Sequence, residues 1–254
     1  MRKIKIAVDA RTLGSRPSGV GMYLNDFLEQ LINYDEFEWV LFTDVAKSEY
    51  IKRFEARGIR VISWGKPVYK SAGVYLYFNF IRNELKNVSP DIFWEVNTII
   101  PINMGKGFKT LITIHDMFPI QYVKYFGKVY SAYFHINLKR TLKRTDMILY
   151  NSEQTKADTC MYFPEAAKIA SCNAYISNPL TRYVPPKDEN YFLYVGNMEK
   201  RKGVDILVKA YREYRKTGGT RPLILAGKMQ EADVGKLVED ALTELDGMTY
   251  LGYV

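Results

Sequence analysis

The chain has 254 residues, 47% hydrophobic and 25% charged, ordinary globular usage that excludes a largely disordered polypeptide. No apolar run approaches the roughly 20 residues that span a bilayer, and the opening Met1-Arg2-Lys3-Ile4-Lys5-Ile6-Ala7-Val8-Asp9 is too briefly apolar for a secretory signal. The net charge of +8 arises before residue 186, where 25 Lys/Arg face 17 Asp/Glu; beyond it 11 face 11.

Short apolar runs alternate with amphipathic segments. Strands are expected at residues 4–8, 39–42, 59–63, 91–95, 110–114, 147–150 and 169–173, with helices at 25–32, 48–56, 74–85, 126–142 and 153–163 between them. Asn178-Pro179, Pro185-Pro186 and Lys187-Asp188-Glu189-Asn190 mark a seam near 177–190. After it the alternation restarts, with strands at 191–195, 223–226 and 248–251 and helices at 204–214 and 234–245. Alternation of this kind predicts α/β architecture with doubly wound parallel sheets. The expected domains are 1–180 and 190–254. Three strands are fewer than the five or six such a sheet usually has, so the second domain reads as incomplete, either a fragment or a part completed by a partner.

Residues 117–145 hold six bases, Lys124, Lys128, Lys139, Arg140, Lys143 and Arg144, and no acid. Tyr122, Tyr125, Phe126, Tyr130, Tyr133 and Phe134 interleave with them. Such a stretch suits an anionic membrane surface, a phosphorylated substrate or nucleic acid, or else a solvated helix face. Lys139, Arg140, Lys143 and Arg144 follow helical spacing and are expected on one face. No groove-reading motif accompanies them, which argues against nucleic acid. Cys160 and Cys172 form no disulfide framework, so a reducing cytoplasm is expected.

Three segments could carry chemistry. Pro17-Ser18-Gly19-Val20-Gly21 precedes a helix, where small residues let backbone approach a ligand; a simple turn is the alternative. His115 follows the strand Ile112-Thr113-Ile114, where open α/β sheets carry ligand sites. Its imidazole could bind a hydroxyl or stabilise charge, with Asp116 fixing its tautomer or the loop. In Tyr194-Val195-Gly196-Asn197-Met198-Glu199-Lys200-Arg201-Lys202-Gly203, Arg201 and Lys202 sit at a strand–loop–helix mouth suited to a diphosphate; an exposed basic turn is the alternative. His135 is expected to pack or face solvent. No Asp-x-Asp pair and no metal-ligand spacing occurs, so no metal is expected. No Gly-x-Ser-x-Gly elbow supports a hydrolase.

In order along the chain, these segments resemble the retaining glycosyltransferases of family 4, of GT-B architecture. Ser18-Gly19-Val20-Gly21-Met22-Tyr23 is similar to the family's Gly-rich first loop. Thr113-Ile114-His115-Asp116 with Phe118-Pro119, and Tyr150-Asn151-Ser152-Glu153-Gln154-Thr155-Lys156, resemble two further family segments. The run from Tyr191 to Gly203 resembles its entry to the second domain, and Leu223-Ile224-Leu225-Ala226-Gly227 and Tyr250-Leu251-Gly252-Tyr253-Val254 fit the next two strands. The resemblance implies two Rossmann-like domains, an acceptor domain (1–180) and the first part of a donor domain (190–254), whose acidic E-x7-E motif would lie beyond Val254.

The resemblance also implies site roles. Arg201 and Lys202 would hold the diphosphate of a nucleotide-sugar donor, and His115 would contact the transferred sugar, with Asp116 beside it. Gly19 and Gly21 would let the first loop approach, Gly196 and Asn197 would line the phosphate loop, and Tyr253 and Val254 would lie near the base. Asn197 departs from relatives that carry Arg there. The implied activity is metal-independent transfer with retention to a saccharide or lipid-linked acceptor, in surface polysaccharide or glycolipid synthesis, at the inner face of the cell membrane. The alternatives are a nucleotide-sugar epimerase and a non-catalytic module or subunit.

Overall fold

The computed structural model describes residues 2–15, 17–68, 71–175, 187 and 189–253, with backbone alone for Ser71 and Ala72. Most of the expected seam, and Val254, lie outside the described residues. The chain divides into two compact units, residues 1–181 and 182–254.

The first unit is built on seven parallel strands: β1 (Ile4–Asp9), β2 (Phe37–Thr43), β3 (Arg60–Ser63), β4 (Ile92–Glu95), β5 (Lys109–Ile114), β6 (Met147–Tyr150) and β7 (Ala170–Asn173). Their spatial order is β3-β2-β1-β4-β5-β6-β7. From Ile6 onward β1 is buried on both faces, so its side chains alternate between two cores. Ala7 joins Phe42, Phe93 and Ile112 on one side; Ile6 and Val8 join Trp39, Leu41 and Trp94 on the other.

Helices cover both faces. Leu24 and Leu28 of α1 (Gly19–Leu31) and Ile51 and Phe54 of α2 (Glu49–Ala56) close one core. Tyr77, Ile81 and Leu85 of α3 (Ser71–Val88) close the other, beyond the short α4 (Phe118–Gln121) and α5 (Val123–Phe126), with Phe134, Leu138 and Leu142 of α6 (Lys128–Leu142). Each fully buried side chain of this size contributes about 1.5–3 kcal/mol. The last helix is α7 (Glu153–Tyr162), capped by Ser152, whose Oγ accepts from Thr155 N at 3.0 Å.

Two helix boundaries differ from expectation. Helix α1 begins at Gly19, six residues before the expected 25, because Ser18 caps it: its Oγ accepts from Gly21 N at 3.3 Å. Glycines in the first turn hid that start, since glycine is a poor helix former. The helix expected over 126–142 is broken at Gly127, whose φ of +81° no helix accommodates.

The second unit holds β8 (Phe192–Val195), α8 (Val204–Lys216), β9 (Leu223–Ala226), α9 (Ala232–Glu244) and β10 (Met248–Tyr250), with parallel order β10-β9-β8. Val204, Val208 and Tyr211 of α8 and Val234, Val238 and Ala241 of α9 share a core with Leu223 and Leu225.

Candidate functional site

In the first sheet the chain reverses its winding direction between β1 and β4, and the crevice past the carboxyl ends of such neighbouring strands is where open α/β sheets bind ligands. Asp9 ends β1 and Glu95 ends β4, directly paired in register, and neither side chain is exposed. Arg11 lies between them, Nη1 3.2 Å from Asp9 Oδ2 and Nη2 3.7 Å from Glu95 Oε1. Tyr77 Oη donates to Asp9 Oδ1 at 3.0 Å, and Asn97 N donates to Glu95 Oε1 at 3.0 Å. Burial, then the neighbouring Asp9, push the Glu95 carboxyl well above the usual range, outweighing Arg11. Glu95 Oε2 has no hydrogen-bond partner among the described residues. None of these four side chains was expected from the sequence. The available signal was an acid closing each of two otherwise apolar strands, Ile-Ala-Val-Asp and Ile-Phe-Trp-Glu.

His115 follows β5, next to β4. Its Nε2 lies 3.0 Å from Val96 O. A carbonyl only accepts, so Nε2 carries the hydrogen and Nδ1 remains an acceptor. Burial lowers the imidazole pKa, which keeps the ring neutral at physiological pH despite the Val96 bond and nearby Asp116. Tyr23 of α1 meets the ring edge-on at 4.9 Å, and Thr155 Oγ1 donates to His115 O at 3.1 Å. The loop that presents Val96 includes Thr98 at φ +71°, an uncommon backbone for a β-branched residue. Its hydroxyl donates to Thr113 O at 2.8 Å, pinning that conformation.

Of the two roles expected for Asp116, the geometry supplies the loop one. Its Oδ1 accepts from Phe118 N at 3.0 Å at the start of α4, while Val96 sets the imidazole tautomer. His135 is exposed and tilted against Phe163 at 4.9 Å.

The two glycines of the first loop part company. A Cβ on Gly19 would meet nothing within 4 Å, whereas one on Gly21 would lie 2.0 Å from Thr12 O. Gly21 therefore has a packing reason of its own, the close approach of α1 to the turn at Arg11–Leu13. Gly19 lies open at the helix N-terminus.

In the second unit, each of three neighbouring strands is followed within two residues by a glycine with positive φ: Gly196 (+155°), Gly227 (+139°) and Gly252 (+76°). A Cβ on Gly227 would fall 1.9 Å from Gly196 O. Gly227 N donates to Gly252 O at 2.7 Å, and Asn197 O accepts from Tyr194 Oη at 3.0 Å. Past this glycine-lined mouth, Lys200–Lys202 form a 3-10 turn into α8, with Gly203 at φ +72° between. Arg201 Nε is held 2.5 Å from Glu199 Oε2, whereas Lys202 is exposed and makes no ion pair among the described residues. Tyr253 is 81% exposed past β10. Gly227 closes the run Leu-Ile-Leu-Ala-Gly, which carries no sequence sign of its close approach to Gly196.

The six-base stretch does not present one cationic face. Arg140 donates from Nη2 to Ile100 O (2.5 Å) and from Nη1 to Pro101 O (3.2 Å), and Arg144 Nη2 donates to Gly105 O at 2.7 Å. Helical rotation of about 100° per residue places these two on a stripe beside the exposed Lys139 and Lys143. The expected four-base face is thus split. On the same surface Tyr122, Tyr125, Val129 and Ile136 are exposed. Among the described residues no helix is long and apolar enough to cross a membrane, and no three His, Cys, Asp or Glu could hold a metal ion.

The family model described as Glycosyltransferase Family 4 matches residues 17–171. No curated protein matches the chain. Among solved structures, a putative UDP-N-acetylglucosamine 2-epimerase from Listeria monocytogenes aligns at TM-score 0.63 and 14% identity, over 100% of this chain and 70% of that one. The lipopolysaccharide outer core galactosyltransferase WaaB in its apo form aligns at 0.56 and 17%, over 99% and 68%. A trehalose-6-phosphate structure from E. coli bound with UDP-2-fluoro glucose aligns at 0.57 and 10%, over 98% and 74%. At these identities the likeness is one of fold, and that fold is GT-B.

Proposed function

The chain belongs to glycosyltransferase family 4, and from that premise we propose that it moves a sugar, with retention, from a nucleotide-diphosphate donor to a saccharide or lipid-linked acceptor. The setting proposed is surface polysaccharide or glycolipid synthesis at the cytoplasmic face of the cell membrane. Residues 1–180 would serve the acceptor and 190–254 would begin the donor domain. The observation that supports this best is the glycine-lined mouth of the second sheet with Lys202, exposed and without an ion pair among the described residues, beside α8. A diphosphate leaving group gains charge as the glycosidic bond breaks. Fixed cations and a helix N-terminus stabilise that charge without a metal.

In this reading Lys202 is the principal phosphate contact and Arg201, already paired with Glu199, the lesser one. Gly196 and Asn197 admit the phosphates, and Tyr253 and Val254 border the base. Nδ1 of His115 accepts from a hydroxyl of the transferred sugar, Asp116 holds its loop, and Gly19 admits the ligand. Gly21 keeps α1 close to the turn that carries Arg11.

The decisive experiment follows nucleoside diphosphate release and sugar products from a panel of nucleotide sugars, with saccharide and lipid-linked acceptors and excess chelator. Acceptor-dependent release of nucleoside diphosphate that persists in chelator supports transfer. The likeness to the Listeria structure favours a second reading, epimerisation. An epimerised sugar formed without any acceptor would establish that reading instead.

A further inference from the structure

Between α3 and α6 lies a cleft of about 240 Å³ to which the function above gives no role. Tyr75, Phe78 and Arg82 line it from α3, Tyr133, Asn137 and Arg140 from α6, and no carboxylate is among the lining residues. Arg140 is anchored through two nitrogens to the carbonyls of Ile100 and Pro101, and its Nε is buried without a hydrogen-bond partner among the described residues. Arg82 is half-buried and makes no ion pair among the described residues. Tyr133 is 46% exposed, its ring stacked on Tyr130 at 6.2 Å. Behind the wall, the Arg11 guanidinium sits 4.9 Å from the Phe78 ring centre, so the cleft backs directly onto the Asp9–Glu95 pair.

We propose that this cleft binds an anionic pyranose, a single sugar unit bearing a carboxylate or phosphate, as a subsite for the acceptor; the assignment to an acceptor rests on the transferase function above. The volume is below the roughly 300–1,000 Å³ of sites for drug-sized ligands, which limits the occupant to about one ring. The exposed Tyr75 and Tyr133 suit the apolar face of a pyranose, and Asn137, whose Nδ2 donates to Tyr133 O at 2.8 Å, offers its Oδ1 to a hydroxyl. Two guanidinium groups with no carboxylate among the lining residues call for a negative charge; Arg82 offers its fork to a carboxylate or phosphate, while Arg140, held by two carbonyls, contributes its charge alone. A neutral sugar leaves that charge unanswered, and a bare anion leaves the aromatic walls unused.

Calorimetric titration of the full chain with glucuronate, glucose 6-phosphate, glucose and inorganic phosphate tests this. At least one of the two charged sugars should bind tenfold or more tightly than glucose and inorganic phosphate, and which one does so identifies the anion. Arg82→Gln and Tyr133→Ala, each confirmed folded by circular dichroism, should each weaken that binding about tenfold. Lys202→Ala should leave it unchanged, so the outcome is independent of donor binding and transfer. Equal affinity for glucose and both charged sugars would overturn the proposal. So would inorganic phosphate binding as well as glucose 6-phosphate while glucuronate fails to bind, or unaltered titrations in both variants.

Discussion

Asp9 and Glu95 stand side by side at the ends of β1 and β4, both out of water, with Arg11 bridging them. One cation cannot balance two buried carboxylates, and Glu95 is the one pushed toward its neutral form. A protonated Glu95 still accepts from Asn97 N, and that bond fixes the turn handing the Val96 carbonyl to His115.

Stability should therefore fall with rising pH. A carboxyl raised in the folded state binds its proton where the unfolded chain has released it, so its stabilisation is complete below the ordinary pKa of about 4.3. It is lost as pH climbs toward the folded value. Glu95→Gln, which mimics the neutral acid, should flatten this dependence in urea unfolding at pH 5–9. Glu95→Ala should cost about 1–3 kcal/mol by stranding its partners.

The imidazole of His115 moves the other way. Its folded pKa lies below the ordinary 6.5, so it favours the folded state above pH 6.5 and loses that contribution as pH falls through the folded value. Nitrogen-15 NMR should show the Nε2–H tautomer at pH 7 and a midpoint below 6.5. His115→Ala should reduce sugar transfer at least about 10²-fold.

Gly21→Ala must displace Thr12 O and should cost roughly 1–3 kcal/mol, seen as a lower thermal midpoint. Gly19→Ala has open space and should leave the midpoint unchanged or higher, while weakening ligand binding if the first loop approaches a ligand.

Lys202 and Arg201 should separate in kinetics. Because Glu199 already holds Arg201, Lys202→Ala should lower kcat/KM for the donor by about 10²-fold, and Arg201→Ala by several-fold less. Steady-state assays at subsaturating donor measure both.

Co-sedimentation with vesicles tests a membrane role for the α4–α6 surface. Replacing Lys124, Lys128, Lys139 and Lys143 with Gln should abolish binding to anionic vesicles if Tyr122, Tyr125, Val129 and Ile136 dip into the interface, each base adding about 1 kcal/mol. Arg140→Gln should act through the 100–101 backbone it anchors, as lost stability.

The strands were legible because each is a short apolar run between turn formers. Residues 110–114 and 147–150, for instance, have no other good burial. The start of α1 was less legible, since Ser18 caps a turn that glycine propensity disguises. His115 could be placed from the strand before it, but its partner is the backbone carbonyl of Val96, and a carbonyl has no sequence signature. The Asp9–Arg11–Glu95 cluster depends on β1 lying beside β4, and that adjacency is a property of topology. The split of the basic stretch depends likewise on which loop carbonyls lie within reach of Arg140 and Arg144.

The position of β1 also governs how the protein is made. As the earliest of these seven strands to be made it lies third from the β3 edge of the sheet, and its β2 side can be paired once β2 is complete at Thr43. Its other side stays bare until β4 emerges from Ile92. At translation rates of about 5–20 residues per second that interval is roughly 2–10 s. A nascent chain thus shows an unpaired apolar strand edge, a template for aggregation, and this interval is when chaperone capture should be greatest.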